Sequence, residues 1–284
     1  MALLRRVRRL TIFFLWMWPY GLWSLLHAVG GRAGIRRVAQ CTRNWGRFLV
    51  RHVAPVEVTV SGEREVAPGS LIVSNHQSYI DILVHASLFP IRFAPKAEIR
   101  HWPVFGWYLA ISRPVWVDRK SRQKSKAVME EFRRTLEEGV SLLVYPEGTT
   151  TDGQHGLLPF KSTPFETVTG TNFTIQPILT RYEIGPDGWN PAWYGDQTLL
   201  PHVWKFLGRK KLRAEVTILP PLTARPGEDR KELAQRVADA MQQALREKSG
   251  ASAGEDSNAA GRRPTAFQAS VSDFGETRKA PPGV

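Results

Sequence analysis

The stretch LIVSNHQSYIDILVHASLF at residues 71–89 changes its period half-way along. Leu71 to Ser74 is a short apolar run of the kind a buried strand uses, whereas from Tyr79 onward the apolar positions suit a helix. A strand that hands over to a helix through a polar loop is the building unit of an α/β sheet, and such sheets bind ligands at the carboxyl ends of strands. Further strand-like runs stand at VEVTV (56–60), IRFA (91–94), VWV (115–117), SLLVY (141–145), TIQPIL (174–179) and AEVTIL (214–219). Helical spacing recurs at Val128, Phe132 and Leu136 and again at Leu233, Val237, Met241 and Leu245. The alternation predicts a single α/β domain over residues 55–248, with a mixed, mostly covered sheet of about seven strands.

Upstream, RRVRR (5–9) precedes LTIFFLWMWPYGLWSLLHAVG (10–30), a stretch almost free of charge and long enough at helical rise to cross a ~30 Å hydrocarbon core. Its Trp and Tyr content suits the membrane interface, Pro19 and Gly21 interrupt its centre, and Arg32, Arg36 and Arg37 place cations beyond it as well as before it. Residues 1–54 are therefore expected to anchor the chain to a membrane, as one tilted transmembrane helix or as a broken, interfacial helix pair. No small-x-small site follows the apolar run, which argues against a cleaved signal peptide. Downstream, residues 249–284 are polar, rich in small side chains and without period, and read as a disordered tail. The formal charge of the 284 residues is +13, and the tail's four basic residues balance its four acidic ones, so the excess lies in the first 248. A positive body suits a membrane surface, a nucleic acid or a phosphorylated small molecule. The single cysteine, Cys41, excludes an intrachain disulfide framework and a thiolate-rich zinc site, and makes the cytosolic face of a membrane the expected location.

Ser78 and Asp81 have the spacing of a capping box, so the loop's polar residues can be read as no more than a helix start. That leaves Asn75 and His76 unexplained. Asp81, at the third helical position, can also reach back to one imidazole nitrogen of His76, fix the tautomer and leave the other nitrogen free as a base. Both readings stand on the residues alone. The chain has no G-x-S-x-G and its cysteine lies far off, so a nucleophile would have to be a substrate hydroxyl.

Two more stretches belong with this one. LLVYPEGTTTDG (142–153) ends another strand with Pro146, Glu147 and Gly148, where glycine permits close backbone approach, loop amides can cradle an anion and Glu147 can accept from hydroxyls. A tight turn with a solvated glutamate is the simpler alternative. In KAEIRHWPVFGWYLAISRPVWVDR (96–119), Lys96 and Arg119 come to strand edges. Arg119, directly after VWV, is the candidate phosphate clamp, while the other cations of RKSRQKSK (119–126) suit a solvated helix face.

Taken in order, the N-H-x-x-x-x-D of Asn75 to Asp81, the K…P-x-x-G…D-R of Lys96 to Arg119, the P-E-G-T of Pro146 to Thr149 and the Gln176-Pro177-Ile178 strand resemble the lysophospholipid acyltransferase family that includes 1-acylglycerol-3-phosphate acyltransferases. The resemblance covers roughly residues 55–220. It implies transfer of a fatty acyl group from acyl-CoA or acyl-carrier protein to a lysophospholipid hydroxyl, first of all 1-acyl-sn-glycerol-3-phosphate, with no metal and no bound cofactor. It further implies His76 as general base and Asp81 as its orienting partner. Asn75, Lys96, Arg119, Glu147, Gly148, Thr149 and Thr150 would line the substrates. Two departures bear on the acceptor. Thr150 stands where many members carry an arginine, and Ser112 and Arg113 stand where a second glycine is common. The E-G-T-T variant, with WYGDQTLLPHVW (193–204), resembles members that act on lyso-ornithine lipid or other lysolipids.

Other classes fit less well. A nucleic-acid binder would use the same charge, but three of the ten tryptophans lie in the apolar stretch and no binding signature is present. A lipid-binding protein without catalysis and a lipase-type hydrolase differ from a transferase in whether thiol is released and whether acylated lysolipid forms. His85, His101 and His202 are isolated in sequence, and NFT (172–174) is a chance glycosylation sequon in a chain expected on the cytosolic side.

Overall fold

The computed structural model describes residues 1–63, 65–102, 105–118 and 122–255. The strands are β1 (Val56–Gly62), β2 (Leu71–Ser74), β3 (Ile91–Phe93), β4 (Ser141–Val144), β5 (Ile175–Tyr182) and β6 (Leu212–Ile218). The helices are α1 (Ala2–His27), α2 (Gly31–His52), α3 (Ile80–Leu88), α4 (Phe105–Ile111), α5 (Arg122–Glu137), α6 (Leu199–Gly208) and α7 (Arg230–Glu255). The strands form one sheet in the order β1-β6-β5-β2-β4-β3, antiparallel between β5 and β6 and parallel at every other pairing. The expected mixed α/β sheet is thus present.

Helices cover both faces. β2 is buried along its whole length, with Ile72 in a core built with α2, α3 and α6, and Leu71 and Val73 in the opposite core with α5 and α7. This double burial is why the run is apolar without alternation. The helical spacing at Val128, Phe132 and Leu136, and at Leu233, Val237 and Met241, points into the second core.

The sheet has six strands among the described residues, and the run VWV (115–117) is not a seventh. Val115 and Val117 donate to the carbonyls of Phe93 and Pro95, and Ala97 donates to that of Val117. The rung between them requires an N–H at residue 95, which is proline, so only an isolated bridge between Lys96 and Val117 survives.

The N-terminal region also departs from expectation. α1 runs through Pro19 without a break, and α1 and α2 form a helical hairpin packed by Tyr20 and Phe13 on Trp45 and by Trp16 on Phe48. No helix among the described residues is long and apolar enough to cross a membrane, so the expected transmembrane helix is not supported. α1 instead lies along the domain, with contacts to α2, α4 and α6. Met17, Gly21 and Ser24 turn inward, and Leu15, Trp18 and Leu22 turn outward, with Trp18 74% exposed.

The arginines in the first turns of α1 are bonded to the protein. Arg5, Arg6 and Arg9 donate to the carbonyls of Gly208, Trp204, Leu207 and Arg209, closing the carboxyl end of α6 with charge-assisted bonds, and Arg9 is buried. At the other end of α1, Arg37 and Arg113 bind the carbonyls of His27, Val29 and Ala28. Part of the positive excess is therefore helix capping rather than a free patch. Finally, α7 runs to Glu255, past the point at residue 249 where the tail was expected to begin, and residues 256–284 lie outside the described residues.

Candidate active site

β2 lies between β5 and β4. From β2 the chain goes through α3 to β3 on one side, and from β4 it returns past β2 to β5 on the other. The loops leaving the carboxyl ends of β2 and β4 therefore cross toward each other's strand and meet at one end of the sheet, where α/β sheets place their ligand sites. The first loop carries Asn75 to Ser78 and the second Tyr145 to Gly153.

The helix-start and base readings of Asp81 describe the same carboxylate. Its Oδ2 accepts from the amides of Gln77 at 2.7 Å and Ser78 at 3.0 Å, and also from Nδ1 of His76 at 2.7 Å. The forward half of the capping box is missing: Tyr79 is the N-cap, and the buried Ser78 hydroxyl has no partner among the described residues. Oδ1 accepts from the Tyr182 hydroxyl at 2.5 Å. Burial pushes the Asp81 carboxyl up, but the hydrogen bond and charge of His76, with help from His85 and Tyr182, outweigh it and hold the group below the usual range. An ionised carboxylate only accepts, so Nδ1 of His76 carries the proton and Nε2 is free to take one. Asp81 is wholly enclosed, whereas the imidazole is 19% exposed, which leaves His76 as the member of the pair that a substrate can touch.

The rest of the site holds this pair in place. The Tyr145 ring stacks on the imidazole, 3.9 Å between centroids and 12° from parallel. The Tyr145 hydroxyl bonds Nδ1 of His85 at 2.9 Å, and Nε2 of His85 bonds the Thr180 hydroxyl at 2.7 Å. Asn75 pairs both ways with the backbone of Thr180, and the Gln77 amide donates to the same carbonyl, so the loop after β2 is tied to β5 as though by extra rungs. Glu147 is buried, with one oxygen on the amide of His76 at 2.8 Å and the other on that of Leu158 at 2.9 Å. Burial raises its carboxyl despite those bonds. Thr151 N–H closes the loop on the His76 carbonyl, and Gly153, at φ 73°, lies where a Cβ would come within 2.4 Å of the Gln77 amide oxygen.

The structure thus brings Asn75, His76, Asp81, Glu147 and Gly148 together, with Gly148 supplying the positive φ of the turn. Asn75 and Glu147 bind backbone. Thr149 is exposed and Thr150 half-buried further along the same loop. Lys96 is exposed after β3, two strands from β2 and so roughly 10 Å away at ordinary strand spacing. Arg119 lies outside the described residues. Sequence reasoning missed Gln77, Tyr145, Thr180 and Tyr182 and set His85 aside. The alternation of Ile178, Thr180 and Tyr182 along β5 was the available signal, since it turns two polar side chains toward the loop after β2.

Comparison with known proteins gives the family. The acyltransferase family model matches residues 57–181. A lyso-ornithine lipid O-acyltransferase of Pseudomonas aeruginosa is 31% identical over 245 residues, 86% of this chain and 93% of the relative. This protein belongs to the acyltransferase family. A 1-acyl-sn-glycerol-3-phosphate acyltransferase of Neisseria gonorrhoeae is 30% identical to this acyltransferase over 175 residues, 61% of the chain and 68% of its own length. The crystal structure of a 1-acyl-sn-glycerophosphate acyltransferase from Thermotoga maritima has the same fold, with a TM-score of 0.62 at 20% identity over 87% of this chain and 96% of the other.

The buried His85 gives the acyltransferase fold a pH dependence of its own. Burial pushes this imidazole down to about 4, while in the unfolded chain it titrates near 6.5. The unfolded state therefore binds the proton first, and stability falls as pH drops from about 6.5 to about 4, by about 3 kcal/mol. The depressed Asp81 contributes stability that is lost only at lower pH. Thermal or urea unfolding of wild type should weaken across that window, and His85→Asn should flatten the slope there whatever its absolute stability. An equal slope in both proteins would contradict the assignment.

Proposed function

We propose that this acyltransferase moves a fatty acyl group from an acyl-CoA or acyl-carrier-protein thioester to the free hydroxyl of a lysolipid at a membrane surface, with His76 as the general base. The observation that carries the reading is the free Nε2 of His76 above a buried, ionised Asp81, with no serine or cysteine bonded to that imidazole among the described residues. In the reaction, Nε2 takes the proton from the acceptor hydroxyl as its oxygen bonds to the thioester carbon. The C–S bond then breaks, and the thiolate leaves with the proton returned by the imidazolium. Such base catalysis contributes about 10²–10⁴-fold, and fixing both substrates in one crevice contributes the rest.

The acceptor we place first is 1-acyl-sn-glycerol-3-phosphate, which gives phosphatidic acid. Lyso-ornithine lipid is the second reading. It is favoured by Thr150, which removes a cation from beside the head group, and by a relative of that name that matches along almost its whole length. Thiol release should depend on added lysolipid and equal the acylated product found by mass spectrometry, with the preferred lysolipid identified from a panel of both kinds. His76→Ala should lose more than about a hundredfold of this activity while staying folded. Thiol release without acylated product would mean hydrolysis, and no thiol release with any lysolipid would mean a binding protein.

Attachment is proposed through the outer face of α1, with the site on the cytosolic side. Leu15, Trp18 and Leu22 are exposed there and give α1 an apolar outer face of the kind that seats on a membrane surface. Replacing Leu15, Trp18 and Leu22 together by Gln should cut co-sedimentation with phosphatidylglycerol/phosphatidylethanolamine vesicles at least tenfold, with activity on detergent-dispersed substrate largely kept. Undiminished sedimentation would remove α1 as the anchor.

A further inference from the structure

Neither oxygen of Asp81 is given to His76 alone. On Oδ2, the imidazole shares its acceptor with the amides of Gln77 and Ser78. On Oδ1 stands the Tyr182 hydroxyl at 2.5 Å, at the short end for a hydroxyl on a carboxylate. Tyr182 reaches this point because it shares a face of β5 with Ile178 and Thr180, and that face is packed on α3. A carboxylate bonded so closely on one oxygen keeps less charge on the other.

We propose that Tyr182 is a positioning residue for acyl transfer: its hydroxyl fixes the plane of the Asp81 carboxylate and draws charge toward Oδ1, which keeps Asp81 from holding His76 in its protonated, inactive form. The inference rests on His76 being the base proposed above. The neighbours leave this task to Tyr182. His76 is faced by the Tyr145 ring and by Glu147 from the loop after β4, and Glu147 is engaged with backbone amides. Asp81 is faced by His85 from its own helix, which burial keeps neutral at ordinary pH. Tyr145, Tyr182 and nearby Tyr79 are raised by burial, so their hydroxyls stay protonated and Tyr182 stays a donor. Among the described side chains, only His76 and Tyr182 hydrogen-bond the Asp81 carboxylate.

The test is kcat as a function of pH for the full-length enzyme in three forms. In Tyr182→Phe the carboxylate, relieved of its donor on Oδ1, holds the imidazolium more tightly. The acid limb should move up by about 0.5–1 pH unit and kcat at neutral pH should fall by roughly 3–10-fold, with KM for lysolipid within about twofold. Replacing Tyr182 by 3-fluorotyrosine, whose hydroxyl is more acidic and nearly the same size, should move the limb down. A tyrosine that only supported the fold would reduce the amount of folded enzyme without moving the limb in either direction. If Tyr182→Phe does not fold, the wild type still decides: a slowly exchanging tyrosine hydroxyl proton should shift in NMR spectra as His76 titrates. A limb unmoved in both substituted enzymes, or a hydroxyl signal indifferent to that titration, overturns the proposal. An active His76→Ala enzyme would instead overturn the base itself, which keeps the two failures apart.

Discussion

A carboxylate with no exposed surface is the feature that the rest of this acyltransferase has to accommodate. Taking Asp81 out of water costs several kcal/mol unless its lone pairs are filled and a partner balances its charge. The fold fills them from three directions: two amides of the loop after β2, the imidazole of His76, and the hydroxyl of Tyr182 at the end of β5. Each donor fixes a piece of backbone. The loop after β2 cannot shift without abandoning the charge, and β5 must lie beside β2 to bring its tyrosine within reach. The Asn75 and Gln77 bonds to Thr180 add to the same constraint.

The sheet order supplies what Asp81 needs. With β2 beside β4, the loops after these strands meet, and the imidazole between them keeps some exposed surface while Asp81 behind it is enclosed. Glu147 then ties the second loop to the first by accepting from the amide of His76. The positive charge of the chain plays a different part from the one its total suggests. Arg5, Arg6 and Arg9 close α6, and Arg37 and Arg113 close α1, so α1 is held flat with its apolar side outward.

The part of this legible in the sequence was the part that rests on local pattern. The apolar runs located β1 to β6, because each strand buries at least one of its faces, and the polar loop of residues 75–78 marked the site. VWV misled because its apolar character was real while its pairing depended on Pro95, a residue on the other side of the gap. The stretch 10–30 misled because hydropathy alone does not say whether one side of a helix meets lipid or protein; Tyr20, Met17 and Ser24 meet protein. Asp81 was found with His76 and Ser78, but Tyr182 was missed, since a capping box is local and Tyr182 is about a hundred residues away. His85 looked isolated for the same reason, with its partners on β5 and after β4.

The central claim is that the buried negative charge of Asp81, and not merely its shape, makes His76 a base. Asp81→Asn keeps the size and the contact to Tyr182 while removing the charge that stabilises the imidazolium. Measured with the preferred lysolipid and saturating acyl thioester, kcat should fall by about 10²–10⁴-fold with both KM values near those of wild type and the enzyme folded. A kcat within tenfold of wild type would contradict the account.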